Sequence, residues 1–317
     1  MAVYTKLSKA DISEFLSEFE VGKLTSFKGI EEGIENTNYL IQTPAEKFIL
    51  TVFEKRTKAE DVPYFMKLTE WLSDRGIPCP RPIHRKDGRV IGEVAGKPAV
   101  LVQFLEGQGR PNVTHYHIRQ LGALVANLHL AAADFPMERP NALSLSGWQE
   151  LFTRVEKKAD SITPGLAKLM GDEIDFLAKN WPKDLPAGTV HTDLFPDNVF
   201  FKRDDLSGVI DFYFSCRDFW MYDLLICLNA WCFNGLHQFV PARARILLQS
   251  YHGVRLILPE ERAVIPVLGR GAALRFLLTR TYDWLHRDAG AVVTPKDPLE
   301  YVAKLKFYHE RNPLSPL

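Results

Sequence analysis

Apolar residues recur along this chain in two rhythms, and the points where the rhythm changes set out its organisation. After Ser8, the residues Ile12, Phe15, Leu16 and Phe19 fall at helical spacing with Asp11 in the place of a capping-box acid, which predicts a first helix. From residue 24 to residue 53 the texture becomes β-like. The runs LTSFKGI, TNYLIQT and KFILTVFE are separated by Gly33 with its acidic neighbours and by a Pro44-Ala45 turn, predicting a three-stranded antiparallel meander. Helical spacing returns around Glu60 to Arg75 through Val62, Phe65, Met66, Leu68 and Leu72, and stops at Gly76 and the segment IPCPRPI. Two more strand-like runs, RVIGEV and KPAVLVQFL, complete this stretch of the chain.

The segment EGQGRP, residues 106–111, carries the densest Gly/Pro punctuation, and the chain beyond it reads mainly helical. A boundary is therefore expected there, between an N-terminal lobe of residues 1–105 and a C-terminal lobe of residues 106–317. The β interruption in the C-terminal lobe is the pair TVHTDLFPDNVFF and GVIDFYF, joined by a polar turn from Lys202 to Gly208. The longest apolar stretch, residues 224–233, is broken by Asn229 and is half of the roughly 20 residues a membrane-crossing helix needs, so it predicts a buried core helix. The fold class expected is α+β, with a small antiparallel β-rich N-terminal lobe and a larger, mainly helical C-terminal lobe.

Composition narrows the partners. The 39 Lys and Arg balance 39 Asp and Glu, which gives no net attraction to nucleic acid or to an anionic membrane and makes a small molecule the expected partner. No obligatory protein partner is evident. Cys79, Cys216, Cys227 and Cys232 contain no C-x-x-C pair, so neither a zinc site nor a disulfide framework is expected. Asp11 and Glu14 interrupt what a secretory peptide would keep apolar, and a cytoplasmic setting is expected.

The chemistry concentrates in His191-Thr192-Asp193-Leu194-Phe195-Pro196-Asp197-Asn198, a match to H-x-D-x-x-x-x-N, with Asp211 coming 13 residues later in Val-Ile-Asp-Phe. Phosphoryl transfer needs a carboxylate to orient and deprotonate the attacking hydroxyl, and oxygen ligands for a metal beside the triphosphate. Asp193 suits the first role, and Asn198 and Asp211 suit the second. His129, at the end of an apolar-faced helix, reads as a satisfied core histidine.

These segments resemble the catalytic loop and metal-binding strand of the aminoglycoside phosphotransferase/choline kinase family, relatives of the protein kinases. Within it the stretches GIEEGIENTNY, FILTVFE and RFLLTRTYDW are similar to the bacterial homoserine kinase branch. The resemblance implies a protein-kinase-like two-lobed fold, ATP and Mg2+ as cofactors, and L-homoserine as the acceptor in threonine biosynthesis. It implies nucleotide contacts from the segment holding Gly33, Asn36 and Asn38, and from the hinge at Gln103 and Leu105. It gives structural support to His191 and Asp223, with Asp223 bracing the catalytic loop. Homoserine is a zwitterion, so Arg275, Arg280 and Asp283 are candidates for its carboxylate and ammonium, against the alternative of an Arg280–Asp283 pair within the helix. The lysine that many relatives carry on the third strand is Thr51 here, and neither Lys47 nor Lys55 is a clear substitute. Two other readings stay open at this point: the same chemistry on another small alcohol (an aminoglycoside, choline or methylthioribose), and a catalytically silent nucleotide-binding regulator.

Overall fold

The computed structural model describes residues 4–31, 36–54, 57–287 and 295–310. The chain divides into two units, one of Met1–Gln108, Phe200–Lys202 and Ser207–Tyr213, the other of Gly109–Val199, Arg203–Leu206 and Phe214–Leu317.

In the first unit Ser8 starts helix α1 (Lys9–Ser17) as its spacing predicts. Its hydroxyl accepts the Asp11 N–H at 3.2 Å, and the Asp11 carboxylate accepts the Ser8 N–H at 2.7 Å. Strands β1 (Ser26–Ile30), β2 (Thr37–Gln42) and β3 (Lys47–Val52) form the expected meander, and helix α2 (Val62–Asp74) leads on to β4 (Gly92–Val94) and β5 (Lys97–Gln103). The sheet order is β1-β2-β3-β5-β4, antiparallel throughout. Alternation puts Tyr39 and Ile41 of β2 and Phe48, Leu50 and Val52 of β3 into one core with Phe15, Leu16 and Phe19, the first two on α1 and the third just beyond it. Each such side chain contributes about 1.5–3 kcal/mol, so the helix is held on the sheet by burial.

The second unit begins with α3 (His115–Ala131), capped by Thr114, whose hydroxyl accepts the His117 N–H while His117 Nδ1 accepts the Thr114 N–H at 3.2 Å. Beyond it come α4 (Leu145–Ala159), α5 (Leu166–Asn180) and β6 (Ala187–Val190). Strands β7 (Val199–Lys202) and β8 (Asp205–Val209) pair as a ribbon most of whose residues belong to the first unit, and in the second unit β9 (Cys216–Phe219) leads into α6 (Trp220–Trp231). Helices α7 (Pro241–Val254), α8 (Pro259–Ala263), α9 (Ile265–Leu285) and α10 (Leu299–Glu310) complete it. Helix α6 is buried nearly all round, as its largely apolar composition requires. Gly271 on α9 admits the Trp181 and Trp148 rings where a Cβ would collide with them.

Two features differ from the sequence reading. The polar segment 202–208 is mostly strand: Arg203 takes φ +58°, which closes the ribbon tightly and lets β8 start at Asp205. The second is that β6 pairs antiparallel with β9, Val190 opposite Cys216 and Ala187 opposite Phe219, so the 191–198 loop leaves a paired strand. Among the described residues no helix is long and apolar enough to cross a membrane.

Candidate active site

The 191–198 loop springs from the end of β6 and turns on Thr192, a β-branched residue held at φ +63°. That conformation is costly for such a side chain, on the order of 1–3 kcal/mol, and persists only where neighbours over-determine it. Here every polar group of Thr192 is engaged. Its N–H donates to Asp223 Oδ1 at 2.7 Å, its hydroxyl to the Phe214 carbonyl at 3.0 Å, and its own carbonyl accepts from Arg275 Nη1 at 2.6 Å. Asp223, on α6, also accepts the His191 N–H at 3.1 Å and His129 Nε2 at 3.0 Å through Oδ2. Burial pushes the Asp223 carboxyl upward, but the hydrogen bonds from His129 and from the His191 amide oppose it, and the group is held below its ordinary value.

The turn so fixed presents Asp193. His191 Nδ1 accepts the Asp193 N–H at 3.2 Å, and Asp193 C=O accepts the Phe195 N–H at 2.8 Å. Asn198 donates through Nδ2 twice, to the Asp193 carbonyl at 2.8 Å and to its Oδ2 at 2.9 Å. With both amide hydrogens on Asp193, Oδ1 is the Asn198 atom left to bind a cation. The second unit therefore brings His191, Asp193, Asn198, Asp223 and Arg275 into one network.

Asp211 belongs to the first unit. It comes after β8 at φ +66° and precedes a 3-10 turn (Phe212–Phe214) whose Tyr213 packs edge-on against Phe53 at 5.4 Å and Phe65 at 5.6 Å. The Val209 N–H donates to the Pro78 carbonyl at 2.7 Å, so the aspartate is anchored on both sides. Asn198 Oδ1 and the Asp211 carboxylate are hard oxygen donors. Each, in its own unit, is the kind of oxygen that a magnesium-sized ion takes as a ligand.

The other residues singled out from the sequence have varied settings. Gly33 and Lys55 lie outside the described residues. Asn36 is buried and its Oδ1 accepts the Glu54 N–H at 3.2 Å. Asn38 Oδ1 accepts the Thr51 hydroxyl at 2.7 Å, so the residue in the place of the third-strand lysine is spent inside the sheet. Gln103 gives its N–H to the Arg81 carbonyl at 2.8 Å, and Leu105 lies beyond the strand end. Arg275 is buried against Thr192 and the Phe214 ring instead of facing an acceptor. Arg280 pairs with Glu300 at 2.5 Å and with the Asp297 carbonyl at 3.1 Å, partners other than the Asp283 of the alternative reading. Lys304 shares Glu300, and these two cations hold that carboxyl at about 2 against its burial. Burial outweighs the same pairing at Lys304, whose ammonium falls to about 8.

For two residues named from the sequence, the partners carry no motif and were not foreseen. Arg275 as a loop brace leaves no signature, because its partner is a main-chain carbonyl. His129 is the satisfied core histidine expected from the sequence, and one of its two partners is Asp223.

Comparison with known proteins places this geometry. The phosphotransferase enzyme family model matches residues 26–257. The homoserine kinase of Rhizobium rhizogenes is 49% identical over 310 residues, 98% of this chain and 97% of that protein. A spectinomycin phosphotransferase solved with ADP and spectinomycin superposes with TM-score 0.70 at 14% identity, over 95% of this chain and 94% of that one. An amicoumacin kinase solved with AMP-PNP and Ca2+ gives TM-score 0.70 at 14% identity, over 98% and 94%. The chain belongs to the phosphotransferase enzyme family, and within it to the homoserine kinases.

Proposed function

We propose that this chain transfers the γ-phosphoryl group of ATP to the side-chain hydroxyl of L-homoserine, forming O-phospho-L-homoserine for threonine biosynthesis, with Mg2+ as the divalent ion. The observation that carries the acceptor is the near-full-length identity to a homoserine kinase, which extends through the helical unit. The chemistry is carried by the Asp193–Asn198 pair.

In this reading Asp193 aligns the homoserine hydroxyl and takes its proton, while the 191–192 turn keeps the carboxylate in place. Asn198 Oδ1 and Asp211 are the oxygens assigned to the metal. When bound, magnesium neutralises charge on the phosphate oxygens. Arg280, whose Nη1 meets the Asp297 carbonyl and Glu300, is assigned to the substrate carboxylate, with Asp283 assigned to the ammonium. Arg275 moves from the acceptor site to the support of the loop. Nucleotide contacts near Gly33 and at Leu105 are assigned to main-chain groups, as Asn36 and Asn38 have their side-chain oxygens engaged. We place the reaction in the cytoplasm, where ATP is made, with no nucleic-acid, membrane or obligatory protein partner.

The test is a panel of small alcohols, L-homoserine, L-serine, choline and an aminoglycoside, incubated with the protein, ATP and MgCl2. ADP release and a new phosphomonoester signal are expected with L-homoserine. Turnover with another alcohol alone, or with none, overturns the proposal.

A further inference from the structure

Asp223 is reached from the far side by a series of buried side chains that the reaction scheme leaves unused. His129, on α3, gives Nε2 to Asp223 Oδ2 at 3.0 Å and meets the Tyr251 hydroxyl of α7 with Nδ1 at 2.8 Å. Arg255 Nη1 lies 3.4 Å from the same hydroxyl and 2.8 Å from Glu261 Oε1, and Glu261 Oε2 accepts the Leu258 N–H at 2.9 Å. Arg255 is 7% exposed, and His129, Tyr251, Glu261 and Asp223 are 0% exposed. His129 stacks on Trp220, and Arg255 lies 4.6 Å from the centre of the same ring.

The direction of these hydrogen bonds is fixed at one end. An arginine has donors only, so Tyr251 Oη accepts from Arg255 and passes its own proton toward His129 Nδ1. That selects the tautomer with the proton on Nε2, which donates to Asp223. The carboxylate then accepts the His191 and Thr192 amides from the other side. The opposite tautomer would set a nitrogen lone pair against the carboxylate and loosen both amides. A buried ion pair such as Arg255–Glu261 is weak as a source of stability, and its use here is orientation.

We infer that Tyr251 and Arg255 are positioning residues for phosphoryl transfer, acting through His129 and Asp223 on the turn that presents Asp193. The inference rests on the functional reading above. Its test is Tyr251→Phe, which keeps the ring and removes the hydroxyl, assayed with ATP, MgCl2 and L-homoserine. A fall in kcat of about fivefold, the equivalent of one buried hydrogen bond, is expected, with both KM values within about twofold and faster hydrogen exchange at the 191–192 amides. Tyr308→Phe removes another buried hydroxyl, the one donating to Asn229 at 2.8 Å, and is expected to leave kcat unchanged. Arg255→Lys keeps the charge beside Glu261, withdraws the donor from Tyr251, and is expected to give an intermediate kcat. Unchanged kcat in folded Tyr251→Phe, an equal loss in Tyr308→Phe, or a loss confined to KM overturns the inference. If Tyr251→Phe does not fold, an unchanged kcat in Arg255→Lys overturns it. Wild-type protein inert toward L-homoserine counts against the functional reading, and amide exchange then decides the relay alone.

Discussion

Arg275 donates to the main-chain carbonyl of Thr192 at 2.6 Å, while Asp223 accepts the N–H of that same residue at 2.7 Å. Two buried charges of opposite sign, carried on α9 and α6, thus grip the two ends of one residue in a left-handed conformation. The strain in Thr192 is held by partners brought from elements 31 and 83 positions away, which is why the loop keeps its shape without help from local propensity.

Replacing Arg275 with Met leaves that carbonyl buried and unpaired. Stability is expected to fall by about 1–3 kcal/mol and kcat by roughly tenfold, with the KM for ATP little changed. Urea denaturation and steady-state kinetics check both. An Arg275 variant with intact kcat and a raised KM for homoserine alone would return the residue to the acceptor site.

Asp223→Asn removes the charge on which the His129 ring and the His191 and Thr192 amides converge, and a hydrogen bond to a charged group contributes about 1.5–3 kcal/mol. The pH dependence comes from the lowered carboxyl. Its contribution is present above the unfolded value of 3.8 and is lost as pH falls through the lower folded value. Wild-type stability therefore declines with acid in a limb that Asp223→Asn lacks, read from denaturation midpoints across the acid range down to and below that unfolded value.

The four cysteines are free and buried, and burial pushes the Cys79 and Cys216 thiols up to about 12. A raised folded value means that their stabilisation is complete below the unfolded value of 9.0 and is lost as pH rises toward 12. Stability is expected to fall with alkali, and Cys79→Ala to flatten that fall. At neutral pH no thiolate forms, so an alkylating reagent is expected to leave activity intact over hours.

Much of this architecture was legible in the amino-acid order, and the exceptions have a common cause. Ser8 and Asp11 form the capping box their spacing announces, and the three meander strands form where their runs predict, with β2 alternating in burial through Tyr39 and Ile41. The Asp193–Asn198 contact comes from a separation of five residues across one turn. What escaped were pairings between distant segments: β6 with β9, Arg280 with Glu300 rather than Asp283, and Arg275 with the Thr192 carbonyl. Arg275 and Arg280 share a helix and a charge, so sequence alone could not tell which is spent inside. Only the surrounding atoms decide that, and a main-chain acceptor has no letter of its own.

The most direct measurement of the central claim is phosphoryl transfer by Asp193→Ala beside its affinity for ATP. Homoserine-dependent ADP release is expected to fall by at least about a thousandfold while ATP binding by calorimetry stays within about threefold of wild type. Turnover equal to wild type in that variant would contradict the assignment of Asp193 as the base.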